Sequence, residues 1–460
     1  MKSLSASLFM FCTVAASTIA LAELARRETD GAIGVTEYLL MNCVAGVVHA
    51  LFATQPLLVL RPTGPITAVI IQLSVIAKAT DADFWELMSW TGVWLAVYMA
   101  AVAALDGCAL IRHLSRFTHD LFSAFVCTVY LADGLTGVID RLKGEGGVAF
   151  DVAVWAALLS LCTFTVAMAL NGIKSTPWFT RGIRGVLHDY SLAIGLLVTI
   201  ALSYSTSRVD VDRIPLPDKL EPTAAGRDWW VGLSLDNSPS WTPVLAAGAA
   251  VPILLLFFID QNVSSRLTQI PEMELKKGAY YNSSFLVMAA LNLAPLFGLP
   301  FVTGSLPHSP QFAKALTTFD DDGRVVRVAE NRLAPFAMYL ALGLALLVPS
   351  AVDIIPDGAV DGILAVVGVA GLLQGNQFVN RVKQLVTDPE LYPTDVPYAG
   401  LPARRVHTYT AVQLGLFVVL WLVKVSPAGL AFPLVIVCLV PFRSNVVGAL
   451  FTEEELAALD

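Results

Sequence analysis

Gln55-Pro56-Leu57-Leu58-Val59-Leu60-Arg61-Pro62-Thr63-Gly64-Pro65 is an apolar stretch broken by proline and glycine. Far along the chain, Leu296-Phe297-Gly298-Leu299-Pro300-Phe301-Val302-Thr303-Gly304-Ser305-Leu306-Pro307 echoes it. Each stretch reads as a short extended piece that turns into a half-helix. Unpaired backbone polar groups are costly in lipid, so such breaks survive only where protein or a water-filled cavity covers them. A matched pair in the two halves of a chain points to the binding site of a secondary transporter. The N-termini of half-helices carry unpaired N–H groups and partial positive charge, which suits an anion.

Working outward, the chain of 460 residues is 56% hydrophobic and 14% charged, with a mean hydropathy of +0.68. A soluble protein carries roughly 25% charged residues. The expected class is an all-α polytopic membrane protein embedded in a lipid bilayer. Apolar runs of the length a span needs fall near 4–24, 34–54, 56–77, 86–111, 117–139, 149–172, 186–204, 242–262, 281–297, 298–313, 333–352, 358–378, 407–423 and 426–446. About fourteen spans then divide as seven plus seven, with the broken element third in each half, as an inverted repeat requires. One transmembrane domain covers 1–460: repeat one about 1–204, an outside loop about 205–240, repeat two about 241–446, and an amphipathic segment 447–460. That last segment is expected to lie on the inner surface as a short capped helix. Lys2, an apolar run and Ala20-Leu21-Ala22 imitate a signal peptide; the spans that follow at once favour a retained first helix.

Basic residues sort by loop. Arg112 and Arg116; Lys174, Arg181 and Arg184; Arg266, Lys276 and Lys277; Lys314, Arg324, Arg327 and Arg332; and Arg381, Lys383, Arg404 and Arg405 fall in even-numbered loops, which places both termini in the cytoplasm. The six cysteines lie in apolar stretches without a CxxC pair, so free thiols are expected. No Walker A, GxSxG, HExxH or dinucleotide fingerprint occurs, so neither an enzyme nor a nucleotide-driven pump is expected. No metal, cofactor or nucleic-acid partner is expected either.

Asp260 ends the apolar run that begins at Val251, and a carboxylate inside a span is a functional candidate by default. The alternative is a helix-end acid reaching interfacial water. Beside an anion, Asp260 has to be protonated or paired with a cation, which is a physical route to H⁺ or Na⁺ coupling. Arg61 is either a positive partner of the anion or of Asp260, or an arginine snorkelling to the interface. Thr63, Gly64, Thr303, Gly304 and Ser305 sit where the half-helices are expected to start. Their hydroxyls can bind an oxyanion or cap the helix. His308, between Pro307 and Pro310, is a substrate ligand or a structural donor. Asp106 and Asp133 are further intramembrane acids; Asp106 with Arg112, and Asp120 with Arg116, read as helix-end ion pairs.

ALFATQPLLVLRPTGP, DGCALIRHLSRFTHDLFS, FFIDQNVSS…ELKKGAYYN, LFGLPFVTGSLPHSP, DVPYAG and WLVKVSPAGLAFPLVIVCLVPFR, in that order, resemble motifs of the bicarbonate transporter family. That family includes anion exchangers, sodium-coupled bicarbonate transporters and borate exporters. The resemblance is to its transmembrane part. It implies a seven-plus-seven inverted repeat with core and gate domains, a homodimer, and residence in the plasma membrane or an organelle membrane. It also implies secondary transport of bicarbonate or carbonate, with borate export as the alternative. In the anion exchangers of that family the position of Asp260 is a glutamate and that of His308 an arginine. Sodium-coupled members and borate exporters have aspartate at 260, Pro307-His308-Ser309-Pro310 is close to the borate exporters, and Thr63-Gly64-Pro65 to the bicarbonate carriers. Lys424 matches a stilbene-reactive lysine of exchangers. Arg61 departs from a usually small or neutral position, and the resemblance suggests that it replaces the missing tenth-helix arginine from the opposite half-helix. A non-transporting scaffold with a degenerate site is the reading of another class; two intact broken helices argue against it.

Overall fold

The computed structural model describes residues 2–144, 147–205, 209–217, 219–270, 273, 275, 281–319, 325–373, 375–426 and 428–460. Lys276, Lys277 and Arg324 of the expected positive loops lie outside the described residues. The helices and strands run in chain order as α1 (Lys2–Glu28), α2 (Val35–Phe52), β1 (Leu60–Arg61), α3 (Gly64–Ala79), α4 (Phe84–Ala104), α5 (Arg116–Leu142), α6 (Phe150–Asn171), α7 (Arg181–Asp189) and α8 (Ser191–Ser203). They continue as α9 (Thr242–Thr268), α10 (Tyr281–Leu291), β2 (Thr303–Gly304), α11 (His308–Leu316), β3 (Thr317–Phe319), β4 (Val325–Val328), α12 (Leu333–Ala345) and α13 (Ser350–Asp353). Then come α14 (Asp357–Leu373), α15 (Gln377–Gln384), α16 (Ala403–Val425), α17 (Phe432–Phe442), α18 (Gly448–Leu450) and α19 (Glu453–Leu459).

Among the described residues, 8 helices are long and apolar enough to cross a membrane, and up to 10 if each of two bent helix pairs is one span. One bent pair is α7 with α8, at 68°. Gly64–Ala79, Tyr281–Phe297 and Leu333–Ala345 are apolar but shorter. The protein is a helical multi-pass membrane protein. Both broken stretches spend apolar residues on irregular and extended backbone, and the helices that follow them are short, Gly64–Ala79 and His308–Leu316.

The chain forms two compact units, Met1–Cys108 with Tyr130–Val367, and Ala109–Val129 with Gly368–Asp460. In the first, α2 packs on α12, α4 on α9, α6 on α8, and α1 on α2, α3, α11 and α12. α4 starts cleanly because the Asp83 side chain accepts from Trp85 N and Glu86 N, both at 2.9 Å. The described part of 205–240 holds no helix or strand, yet it is tied down. Thr223 N and Oγ1 donate to buried Glu37 at 2.8 and 2.6 Å, Arg227 pairs with Glu37 at 2.8 Å, and Ser234 Oγ donates to Glu86 at 3.0 Å.

In the second unit, Phe117, Tyr398, Val406, Tyr409, Val447, Phe451, Leu456 and Leu459 form a hydrophobic cluster. The expected C-terminal capped helix is present as α19: Thr452 Oγ1 accepts from Glu455 N at 3.2 Å and Thr452 N donates to Glu455 at 2.9 Å. It does not simply lie on a surface. Leu456 and Leu459 are buried in that cluster, where each contributes about 1.5–3 kcal/mol.

Candidate functional site

The two broken stretches meet. β1 and β2 pair antiparallel, with Leu60 opposite Gly304 and Arg61 opposite Thr303. Ser305 N extends the ladder by donating to Val59 O at 2.8 Å. Proline makes this geometry local: Pro62 disfavours helix at Arg61, and Pro65 fits the first turn of α3 where its missing N–H costs nothing.

Side chains satisfy backbone that the short ladder leaves out. Val59 N donates to Ser309 Oγ at 3.0 Å. Tyr339 Oη accepts from Leu60 N at 2.9 Å and donates to Leu60 O at 3.2 Å. Asn292 acts as a substitute strand, accepting from Val302 N at 2.9 Å and donating to Val302 O at 3.1 Å. Gln55 Oε1 accepts from Leu57 N at 3.0 Å, and Ser264 Oγ of α9 donates to Gly304 O at 3.0 Å. Irregular backbone is thus covered by protein, as a non-aqueous setting demands.

Among the described residues, the side-chain atoms Asp260 Oδ1, Thr63 Oγ1, Thr303 Oγ1 and both amide atoms of Gln261 are buried without a hydrogen-bond partner. Thr63 and Asp260 face each other, and Gln261 packs so close to Gly304 that a β-carbon there would sit 2.8 Å from its Oε1. Arg61 is 2% exposed. Its Nη1 donates to Ser17 Oγ of α1 at 2.5 Å and its Nε to Pro62 O at 3.2 Å. Among the described residues no carboxylate pairs with it. Its charge reaches His308, whose Nδ1 lies 2.7 Å from Ser305 Oγ.

The structure therefore gathers Arg61, Thr63, Gly64, Asp260, Thr303, Gly304, Ser305 and His308, and it revises four expectations. Asp260 is not a helix-end acid: α9 continues to Thr268, and Asp260 is 2% exposed. Arg61 neither snorkels nor pairs with Asp260. The second half-helix starts at His308, so Thr303 and Gly304 are strand residues and Ser305 precedes the helix. The delay follows from pairing with β1, which holds 303–305 extended. Asp106 takes a positive φ of 55° and accepts from Asn282 rather than pairing with Arg112. The Arg116–Asp120 pair is present at 3.7 Å, and Lys424 lies 5.6 Å over the Trp421 ring.

Sequence reading missed several neighbours. Ser17 hides in the small-residue run Ala15-Ala16-Ser17-Thr18. Tyr130 Oη accepts from Gly64 N at 2.7 Å, and Tyr38 Oη lies 3.1 Å from Thr67 Oγ1 one turn further along α3. Nothing local marks either tyrosine.

The HCO3⁻ transporter integral membrane domain matches residues 1–147 and 141–460. The Band 3 anion transport protein of Rattus norvegicus is 26% identical over 484 residues, covering 99% of this chain and 52% of that protein. Anion exchange protein 3 of Homo sapiens is 26% identical over 501 residues, covering 99% of this chain and 41% of that one. The chain thus spans about half the length, or less, of these relatives. The transmembrane domain of the bicarbonate transporter BicA of a cyanobacterium superposes with a TM-score of 0.56 at 16% identity, covering 90% of this chain and 96% of that one. The murine anion transporter Solute Carrier 26 family member A9 gives a TM-score of 0.61 at 14% identity, covering 97% and 68%. These two show a shared fold. The chain belongs to the family of the HCO3⁻ transporter integral membrane domain.

Proposed function

We propose that this member of the HCO3⁻ transporter family is a secondary active transporter of an inorganic anion, bicarbonate or carbonate, working by exchange or by Na⁺ or H⁺ coupling with alternating access. The observation that carries the reading is Arg61, buried beside the paired broken stretches with no acid partner among the described residues. An uncompensated buried charge costs several kcal/mol. An anion bound beside Ser17, Thr63 and Thr303 neutralises it and fills the acceptor and donor positions left open there. Asp260 carries the coupling ion: its negative charge opposes the anion until Na⁺ or H⁺ offsets it.

Further parts of the reading rest on the family. They are a seven-plus-seven inverted repeat in which short apolar helices complete the spans, a homodimer, and a plasma-membrane setting with both termini cytoplasmic. Borate export is the second reading, favoured by the uncharged hydroxyls of Thr63, Thr303 and Ser305; the charge of Arg61 weighs against neutral boric acid as substrate.

Reconstituted protein, followed by internal pH after bicarbonate addition with and without Na⁺, tests both. Na⁺-dependent alkalinisation that is lost in Asp260→Asn is the expected result. Boron flux without a bicarbonate response selects the second reading. Loss of neither function in Asp260→Asn removes the coupling role.

A further inference from the structure

α3 starts with Thr63 as its N-cap, but the Thr63 side chain makes no capping bond, and Pro65 has no N–H to offer. Gly64 N–H is therefore a principal donor of this terminus, and Tyr130 Oη already accepts from it at 2.7 Å. The contact is built in. A β-carbon on Gly64 would lie 2.3 Å from the Tyr130 ring and hydroxyl, so residue 64 has to be glycine for the tyrosine to reach the backbone. Tyr130 also lies within electrostatic reach of Arg61. It is half-buried, whereas Arg61, Thr63 and Asp260 are buried. The phenol thus stands at the edge of the site, against its two positive features, the helix terminus and the guanidinium.

We propose that Tyr130 sets the affinity threshold of the site: its hydroxyl takes the place of an anion oxygen on Gly64 N–H, and a substrate has to replace it. The inference rests on the anion-binding reading above. Its physical logic is an exchange of acceptors. An unpaired N–H in a dry site is costly, so a neutral hydroxyl holds it when no substrate is bound. A bicarbonate oxygen makes a charge-assisted bond about twice as strong and displaces the phenol at a gain. A neutral acceptor such as boric acid makes a bond no better than the one it breaks. Tyr130 is accordingly a specificity-determining residue: every ligand has to offset the same displacement, and only charged ones do so comfortably.

The test is bicarbonate uptake by the protein in liposomes, with boric acid as competitor, comparing wild type with Tyr130→Phe and Tyr130→Leu. Tyr130→Phe removes the hydroxyl alone; Tyr130→Leu removes the ring with it, keeps Gly64 open to the anion, and decides the matter if the first variant does not assemble. In both, the half-saturating bicarbonate concentration falls about three- to tenfold, the worth of one displaced neutral hydrogen bond, and boric acid becomes a measurable competitor. A purely packing role would lower maximal flux or folded yield and leave half-saturation in place. Unchanged or raised half-saturation in variants that still transport overturns the proposal alone. A wild type that neither transports nor is thermally stabilised by bicarbonate overturns the anion reading and the role of Tyr130 with it.

Discussion

Two buried polar regions of the same unit differ in one respect. Where α1, α5 and α14 come together, Glu23, Asp357 and Asp361 meet Arg26, Arg27 and Arg141. Arg26 and Arg27 hold Glu23 at 2.6 and 3.2 Å, Arg27 holds Asp361 at 2.9 Å and also Asp357, and Arg141 holds Asp357 at 3.1 Å and also Asp361. Three negative groups face three positive ones, and none of their buried side-chain polar atoms lacks a hydrogen-bond partner. At the crossing of the broken stretches, among the described residues, Arg61 has no acid and Asp260 no base, and hydroxyl and amide atoms around them are open. Charge inside an apolar helix is common to both regions, so it is not what separates them. Pairing separates them. A closed network has nothing to gain from a ligand; an open one is completed by it.

The largest expected effect puts that distinction under load. Asp361→Ala leaves Arg27 and Arg141 each short of a partner, and breaking a buried network in this way costs about 3–5 kcal/mol. Asp260→Asn removes a buried carboxylate that no cation among the described residues pairs with and is expected to leave stability equal or higher, while coupled transport is lost. Unfolding midpoints in detergent for the two variants check this. A destabilised Asp260→Asn beside an unaffected Asp361→Ala would invert the comparison.

A smaller effect sharpens it. If the crossing needs one cation and is indifferent to which half-helix supplies it, the cation can be moved. Arg61→Ala is expected to raise half-saturating bicarbonate roughly ten- to a hundredfold, the worth of a charge-assisted hydrogen bond, with folding unimpaired. Adding His308→Arg, which restores a cation within reach of the same place, is expected to recover part of that loss. Uptake measured across bicarbonate concentrations in the single and double variants decides. No recovery would mean that Arg61 acts by geometry at Ser17 and not by charge alone.

Much of the crossing was legible in the residues. Proline and glycine at 56, 62, 64, 65, 298, 300 and 307 mark where regular helix breaks off or starts again, and Asp260 and Arg61 are conspicuous in apolar surroundings. The pairing of Leu60 with Gly304 was not legible, because a two-residue ladder between distant segments has no periodicity to announce it. That pairing is also why the second half-helix starts later than hydroxyl positions suggested. The helix-end pair expected of Asp106 and Arg112 assumed a regular helix, but Asp106 takes a left-handed backbone and the 3-10 turn Gly107–His113 follows it. Asp361 drew no attention, and its partners explain why: Arg27 and Arg141 are 334 and 220 residues away. Sequence reading finds buried charge readily, yet whether that charge is paired is a property of the fold.

The smallest effect concerns an ion pair that is closed like the first region but lies near water. Arg405 grips Glu455 of α19 through Nε at 2.6 Å and Nη2 at 2.5 Å, with its guanidinium 4.6 Å over the Phe451 ring. That grip, helped by Thr452 N–H, lowers the Glu455 carboxyl from 4.5 to about 2. A carboxylate held below its unfolded value contributes stability that is fully present above the unfolded value and lost as pH falls through the folded one. Docking of α19 is therefore expected to be constant from neutral pH to about 4.5 and to weaken between there and about 2. Surface pairs are individually weak, and Leu456 and Leu459 still anchor the helix, so local loosening is expected while the rest of the unit holds. Hydrogen exchange across 453–460 reads it, and Glu455→Gln at neutral pH should reproduce the acid state. Exchange in that variant as slow as in wild type would show that the apolar anchors alone hold α19, and that pairing without burial adds nothing measurable here.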